Sequence, residues 1–130
     1  MRVTAVDRDV SGIADLRDRV EIVAADLEDG SPWPLAGRRF DAVVATNYLY
    51  RPLLPTLVAT VAEGGVLIYE TFAVGHERFA RPRNPEHLLR AGELLDAVAG
   101  TLRVIAYESG EDEGEAGPRV IQRICALRAR

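Results

Sequence analysis

Apolar residues along this chain fall into short runs, and the spacing within each run predicts the element that it forms. Three runs, at residues 2–6, 20–25 and 41–45, are rich in valine and other apolar residues and predict strands. A fourth run at 66–69 has no polar alternation, as is typical of a parallel strand covered by helices on both faces. Apolar residues one helical turn apart predict a short helix at 11–16.

A helical period begins after residue 52, and the prolines of this segment are confined to its first turn. Gly64 and Gly65 follow the segment directly, and glycine commonly ends helices, so we expect the helix to stop there. Its predicted apolar face consists of Leu53, Leu54, Leu57, Val58 and Val61.

Two further helical segments precede the tail. Residues 84–86, Asn-Pro-Glu, supply a capping side chain, a first-turn proline and an early acid, which predicts a short helix leading towards residues 88–89. Gly92 interrupts the pattern before leucine and valine resume the helical spacing at 94–98.

The tail has two predicted strands, at 102–107 and 120–127, and the short segment between them is acidic at 111–115 and bears glycines. A connection of this length leaves no room for a crossover helix, which predicts an antiparallel pair joined by a solvated acidic loop. Strands that alternate with helices and end in an antiparallel hairpin predict the α/β class, with a doubly wound, mostly parallel sheet of the Rossmann type. One domain is predicted over residues 1–130.

Composition narrows the partners and the compartment. The net charge of the 130-residue chain is -4 and there is no basic stripe, which argues against nucleic acid as a partner. No apolar run approaches the ~20 residues of a membrane span and no signal peptide is visible, so we expect a cytoplasmic protein without a membrane partner. Cys125 is alone, and His76 and His87 are isolated and expected at the surface or in loops, so no disulfide and no metal site is predicted. Nothing in the sequence indicates the oligomeric state.

Polar residues close four predicted strands, at Asp7, Asp26, Asn47 and Glu70. In parallel sheets, ligands bind beyond the carboxyl ends of the strands. An acid after one strand can accept both ribose hydroxyls, and an acid one strand over can accept the exocyclic amine of adenine, so this spacing fits an adenosine site. An aspartate after a strand is also a common turn former, and for Asp7 alone the two interpretations weigh about equally.

Several segments around these strand ends carry a likeness to a known family. The segments are VTAVDRD, VEIVAADLEDG, FDAVVATNYL and EGGVLIYETF, in that order along the chain. They are similar to the second, third and fourth strands of class I S-adenosylmethionine-dependent methyltransferases and to the strand that follows the glycine pair. The tail, HLLRAGELLDAVAGTLRVIAYESGE and RVIQRICALRAR, is similar to the tellurite-resistance branch of that family.

The resemblance implies S-adenosylmethionine as the cofactor and methyl transfer to a small-molecule acceptor as the reaction. It assigns ribose binding to Asp7 and the adenine amine to Asp26, with the backbone of Leu27 beside the adenine ring. Asn47 is expected near the methionine end of the cofactor.

The same resemblance places Tyr48 and Tyr50 at the border of an acceptor pocket. Arg78, Arg81 and Arg83 lie in the loop where the family binds acceptors, so Arg78 is a candidate for contact with an anionic group, whereas the alternative, favoured about two to one, is that these arginines are solvated loop charges. Because methyl transfer needs mainly the alignment of donor and acceptor, no catalytic residue is assigned. If the acceptor must lose a proton, the candidate bases are His76, His87 and Tyr50.

One departure from the family concerns its first strand. The family begins with a central strand and a glycine-rich turn, whereas Asp7 follows Met1 by six residues. We therefore expect an N-terminally truncated domain without its central strand, with unpaired strand edges, poor stability and weak cofactor binding. The rival hypotheses are a nicotinamide-dependent Rossmann reductase and a non-catalytic fragment or partner subunit. Two features favour methyl transfer over the first rival, namely the antiparallel terminal hairpin and the absence of a Tyr-x-x-x-Lys pair, which this lysine-free chain cannot contain.

Overall fold

The computed structural model describes residues 1–130, which divide into two compact units, residues 1–38 and residues 39–130. The prediction of a single domain stays a prediction. None of the helices is long and apolar enough to cross a membrane.

The first unit contains a two-stranded parallel sheet. Strand β1 (Val3–Asp7) pairs in register with strand β2 (Val20–Ala24), and a 3-10 helix (Ser11–Leu16) connects them. These bounds confirm the three elements predicted for this segment. Leu35 is the one buried residue of the unit. Two strands with so small a core are marginally stable on their own.

The second unit contains a four-stranded mixed sheet in the order β3-β4-β6-β5. The first two strands are parallel, and β6 is antiparallel to both of its neighbours. This sheet, with its helices and its terminal hairpin, confirms the predicted α/β class. The elements are β3 (Phe40–Thr46), α1 (Leu54–Ala59), β4 (Val61–Phe72), α2 (Glu93–Val98), β5 (Arg103–Gly114) and β6 (Gly117–Leu127), with 3-10 turns at Arg51–Leu53, His76–Arg78 and Pro85–His87.

The core of this unit lies on one face of the sheet. Leu67 and Tyr69 of β4 are buried there against apolar residues of α1 and α2. On the opposite face Val44 is 63% exposed and Ile68 is 43% exposed. The prediction that the apolar run at 66–69 is covered on both faces is therefore wrong for the described chain, although side chains still alternate between the faces as in any strand.

The glycine pair does not end the helix but lies inside β4. Helix α1 already ends at Ala59, and β4 begins at Val61. The register against β3 shifts within this stretch, so Gly64 takes a left-handed φ of 74°. Gly65 packs so closely against carbonyl oxygens that a side chain there would collide with them. Glycine is thus required here by an irregularity of strand β4. In sequence, such a glycine pair looks the same as one that ends a helix.

The acidic segment of the tail is also strand rather than loop. Strand β5 runs through it to Gly114, and Arg119 of β6 donates to Asp112 across the hairpin at 2.6 Å. Arg123 donates to Asp112 at 3.1 Å and to Glu70 of β4 at 2.7 Å. Cross-strand arginines offset the clustered negative charge, which lets the acidic residues remain in the ladder.

The segment at 84–86 forms the predicted cap but only one turn of helix. The Asn84 side chain accepts from the backbone N–H of Glu86 at 3.0 Å. The turn ends at His87, because the next residues are extended and the backbone N–H of Leu89 donates to the carbonyl of Phe72 at 3.0 Å. Leu89 is fully buried, so packing against the end of β4 outweighs helix continuation.

Candidate functional site

The two aspartates of the first unit lie at the carboxyl ends of adjacent parallel strands. Asp7 is the last residue of β1, and its carbonyl accepts from the backbone N–H of Ala25 at 3.0 Å, one residue before Asp26. One oxygen of each carboxylate accepts a backbone N–H two residues onward, from Asp9 at 3.3 Å and from Glu28 at 2.9 Å. The second oxygen of each carboxylate makes no hydrogen bond within the chain. A turn-forming role and a ligand-binding role are therefore compatible at both positions.

Leu27 lies inside the turn that Asp26 forms with Glu28, and its side chain is half-buried. The residues predicted to hold the ribose, the adenine amine and the adenine ring therefore come together in one unit. They occupy the edge of a parallel sheet at which such folds bind ligands.

Asn47 lies in the second unit and follows β3 directly. Its backbone N–H donates to the carbonyl of Glu70 at 2.9 Å, and its φ of 53° makes it the one non-glycine residue of the chain in the left-handed region. Asparagine tolerates this conformation better than most residues, yet such backbone positions concentrate at functional sites. The residue predicted to approach the cofactor is thus conformationally unusual and exposed.

Tyr48 and Tyr50 are half-buried in the loop that follows Asn47. The hydroxyl of Tyr69, whose ring is buried in the core, donates to the carbonyl of Tyr48 at 2.5 Å. Burial raises the pKa of the Tyr69 phenol well above its ordinary value, so the hydroxyl remains a hydrogen-bond donor. Strand β4 thereby fixes the backbone of the predicted acceptor loop.

Arg51 continues this loop and connects it to a second one. Its guanidinium donates to both carboxylate oxygens of Glu93, at 2.7 and 2.8 Å, and to the carbonyls of Leu88 at 2.8 Å and Glu86 at 3.1 Å. Sequence reasoning missed this pair. A proline after Arg51 and a glycine before Glu93 are the local signals, and neither reveals a contact between residues so distant along the chain.

Burial alone would raise the pKa of the Glu93 carboxyl, but hydrogen bonds from Arg51 and from the backbone N–H of Arg90 outweigh it and hold that pKa below its ordinary value. A lowered folded-state pKa stabilises the protein above the unfolded pKa, and this stabilisation disappears as the pH falls through the folded pKa. We expect Glu93→Gln to lower the free energy of unfolding by about 1–3 kcal/mol at neutral pH. The difference from wild type should narrow below the ordinary glutamate value of 4.5.

Urea unfolding at a series of pH values measures this effect. Glu63→Gln is the matched control, because Glu63 is exposed and makes no ion pair. A constant difference between Glu93→Gln and wild type from neutral pH to pH 3 would contradict the linkage between Glu93 ionisation and stability.

Arg78 is exposed and partly committed to its own loop. Its Nε donates to the carbonyl of Gly75 at 2.9 Å, and its guanidinium lies 5.0 Å from the centroid of the Phe79 ring. Arg81 and Arg83 are also exposed. An anionic partner of Arg78 stays a prediction.

His76 lies in the 3-10 turn that follows β4, so its expected loop position is confirmed, although its ring is buried rather than at the surface. Only 3% of the residue is exposed, and its ring stacks on Phe72 with 4.3 Å between centroids. Nδ1 accepts from the backbone N–H of Val120 at 3.3 Å, and Nε2 lies 3.1 Å from the carbonyl of Arg81. With these partners Nδ1 acts as an acceptor and Nε2 as a donor, so both ring nitrogens are engaged within the chain and neither is free to act as a base. His87, in contrast, is exposed as expected.

An open groove of about 560 Å³ lies between α1 and α2 in the second unit. None of the residues predicted to bind cofactor or acceptor lines it. Its charged lining consists of Arg39, Arg51, Glu93, Asp96 and Arg128.

Comparison with solved structures identifies the fold. The N-methyltransferase NodS from Bradyrhizobium japonicum WM9 matches with a TM-score of 0.69 and 18% identity over 99% of this chain and 74% of NodS. TehB from Haemophilus influenzae matches with a TM-score of 0.70 and 17% identity over 99% of this chain, which spans 50% of TehB. The [4+2]-cyclase SpnF matches with a TM-score of 0.68 and 14% identity, over 99% of this chain and 66% of SpnF. No protein-family model and no curated protein matches the chain.

The chain therefore has the fold of S-adenosylmethionine-dependent methyltransferases. Within that fold it is similar to TehB, of the tellurite-resistance type, and to NodS, which has also been solved with S-adenosyl-L-homocysteine. At these identities the likeness concerns the fold. SpnF, which is named as a [4+2]-cyclase, shares this fold.

Proposed function

We propose that this protein binds S-adenosylmethionine and takes part in methyl transfer to a small-molecule acceptor. The observation that carries the proposal is the pair of aspartates, Asp7 and Asp26, at the carboxyl ends of adjacent parallel strands in a methyltransferase fold. In open α/β sheets this edge is where nucleotide cofactors bind.

The donor and acceptor chemistry of the first unit fits the adenosine part of the cofactor. Asp7 has one carboxylate oxygen to accept the ribose hydroxyls, and Asp26 has one to accept the adenine amine, since the other oxygen of each is held in its turn. Leu27 would lie beside the adenine ring. The approach of Asn47 to the methionine end remains a prediction from the sequence.

When bound, the cofactor supplies an electrophilic methyl group on its sulfonium. The protein must then align an acceptor with that group, and alignment alone is worth effective molarities of about 10⁵ M or more. Tyr48 and Tyr50 are the side chains proposed to border the acceptor, and Arg78 is proposed to contact an anionic group on it. With His76 committed to the core, Tyr50 and His87 remain as candidate bases.

Titration of the purified chain with S-adenosyl-L-homocysteine, followed by amide NMR shifts, tests the cofactor site. We expect Asp7→Asn and Asp26→Asn each to weaken binding about tenfold or more, because each loses a charged acceptor for a cofactor donor. The shifts should centre on the ends of β1 and β2. Unchanged affinity in both variants would overturn the proposed site.

Asp29→Asn is the matched control for these variants. Asp29 is an exposed acid of the same unit that holds a turn through Ser31, so its loss should leave cofactor affinity unchanged. Titration with NADPH is the parallel test of the reductase hypothesis. Transfer of tritium from methyl-labelled S-adenosylmethionine to selenite, tellurite or 4-nitrothiophenol would establish methyl transfer and identify the acceptor class.

A further inference from the structure

We propose that Arg51 is a positioning residue that joins the two loops expected to hold the acceptor. The first acceptor loop is residues 47–50, after β3, and the second is residues 75–90, between β4 and α2. That these loops hold an acceptor rests on the proposed function. The link that Arg51 makes between the two loops, here called the junction, lies wholly within the second unit.

Arg51 links the two loops through its backbone and its side chain. Its backbone continues the first loop directly, and its guanidinium donates to the backbone carbonyls of Glu86 and Leu88 in the second. Carbonyl oxygens are acceptors that any residue at positions 86 and 88 presents, so the contact fixes the path of the backbone rather than one side chain. Arg51 thus sets the distance between the loops.

Glu93 holds the guanidinium in the orientation that these contacts need. Its carboxylate accepts from Nε and Nη2 of Arg51, and one of its oxygens also accepts from the backbone N–H of Arg90 at 2.8 Å. The planar fork of arginine can serve a carboxylate and two carbonyls together, which the single ammonium of lysine cannot do in the same geometry. The pair is largely sheltered, since the side chains of Arg51 and Glu93 are 23% and 15% exposed.

Each loop also has its own attachment to β4. The first is held by the bond from Tyr69 to the carbonyl of Tyr48, and the second is held where Leu89 pairs beside Ala73. Between these attachments, the Arg51 side chain bonds the residue that continues the first loop to the backbone of the second. Its removal should therefore loosen the loops while the sheet stays intact.

Hydrogen exchange in Arg51→Lys and Arg51→Gln tests this inference. We expect the amides of His87 and Leu88, which are bonded within the second loop, to exchange about tenfold faster in both variants. The amide of Ile124, in the centre of β6, should keep its wild-type rate. Arg51→Lys retains the charge and is expected to unfold at nearly the wild-type urea concentration, which separates loop positioning from general stabilisation.

Fluorine NMR of protein labelled with 3-fluorotyrosine gives the second readout, because the chain has four tyrosines. The Tyr48 and Tyr50 signals should shift or broaden in Arg51→Lys, and the Tyr107 signal on β5 should not. Arg38→Lys, at an exposed ion pair of the first unit, is the control.

Wild-type loop exchange and wild-type tyrosine signals in Arg51→Lys would overturn the inference, as would faster exchange spread evenly over β4 and β6. If Arg51→Gln does not fold, Arg51→Lys decides alone. Both readouts are independent of cofactor, so loosened loops in a chain that fails to bind S-adenosyl-L-homocysteine would refute the proposed function and leave the junction standing.

Discussion

Gly65→Ala is expected to destabilise the protein by about 2–3 kcal/mol, a large part of the 5–15 kcal/mol that holds a typical domain together. An alanine Cβ at this position would lie 2.8 Å from the carbonyl oxygen of Ala62, 2.9 Å from that of Asp41 and 3.1 Å from that of Phe40. These oxygens belong to backbone and cannot rotate away as a side chain would. The strands β3 and β4 must therefore separate locally, where their register shifts.

Urea unfolding followed by far-ultraviolet circular dichroism measures the loss. Gly12→Ala is the matched control, because nothing lies within 4 Å of a Cβ built on Gly12, and we expect its unfolding midpoint to equal the wild-type value or rise slightly, since alanine favours the helix at Ser11–Leu16. Equal midpoints for Gly65→Ala and Gly12→Ala would show that β3 and β4 do not approach as closely as the structure has them.

The sequence predicts well those elements that local periodicity determines. The strand that ends at Asp7 and the 3-10 helix at Ser11–Leu16 follow from apolar spacing and were found at the predicted positions. The alternation of these elements also led to the correct fold class. Such features depend on neighbours a few residues away, which a pattern along the chain records.

Features that depend on distant partners escaped prediction. Local sequence rules predict that Gly64 and Gly65 end a helix, but both lie in β4, because β4 pairs with β3. The acidic stretch around Asp112 is a loop by composition, yet Arg119 and Arg123 neutralise it from the next strand. Tertiary contacts override local preference at these places.

The residues of the candidate site also fall into those that local sequence signals predict and those that they do not. Asp7 and Asp26 could be found because each follows a recognisable strand, and a strand end is a local signal with a known spatial meaning. Arg51 and Glu93 could not, since their contact depends on how two loops fold back on β4. His76 has an ordinary loop context in sequence, and only its backbone partners show that it belongs to the core.

His76→Ala is the second change with a large expected effect, and it separates a structural histidine from a catalytic one. Removing the buried ring abolishes the stacking on Phe72 and the hydrogen bonds to two backbone groups, the N–H of Val120 and the carbonyl of Arg81. Each lost hydrogen bond costs about 0.5–1.5 kcal/mol and the lost stacking costs about as much again, so we expect a loss of about 3 kcal/mol.

The exposed His87 is the control, because its side chain makes no hydrogen bond and His87→Ala should unfold at the wild-type urea concentration. A catalytic base behaves in the opposite way, since its removal lowers the rate of reaction and leaves stability nearly unchanged. If His76→Ala unfolds like His87→Ala, the ring is not the internal support that its contacts indicate, and its nitrogens are again available for proton transfer. If His76→Ala unfolds at lower urea than wild type, the side chains that remain as candidate bases for the proposed methyl transfer are Tyr50 and His87.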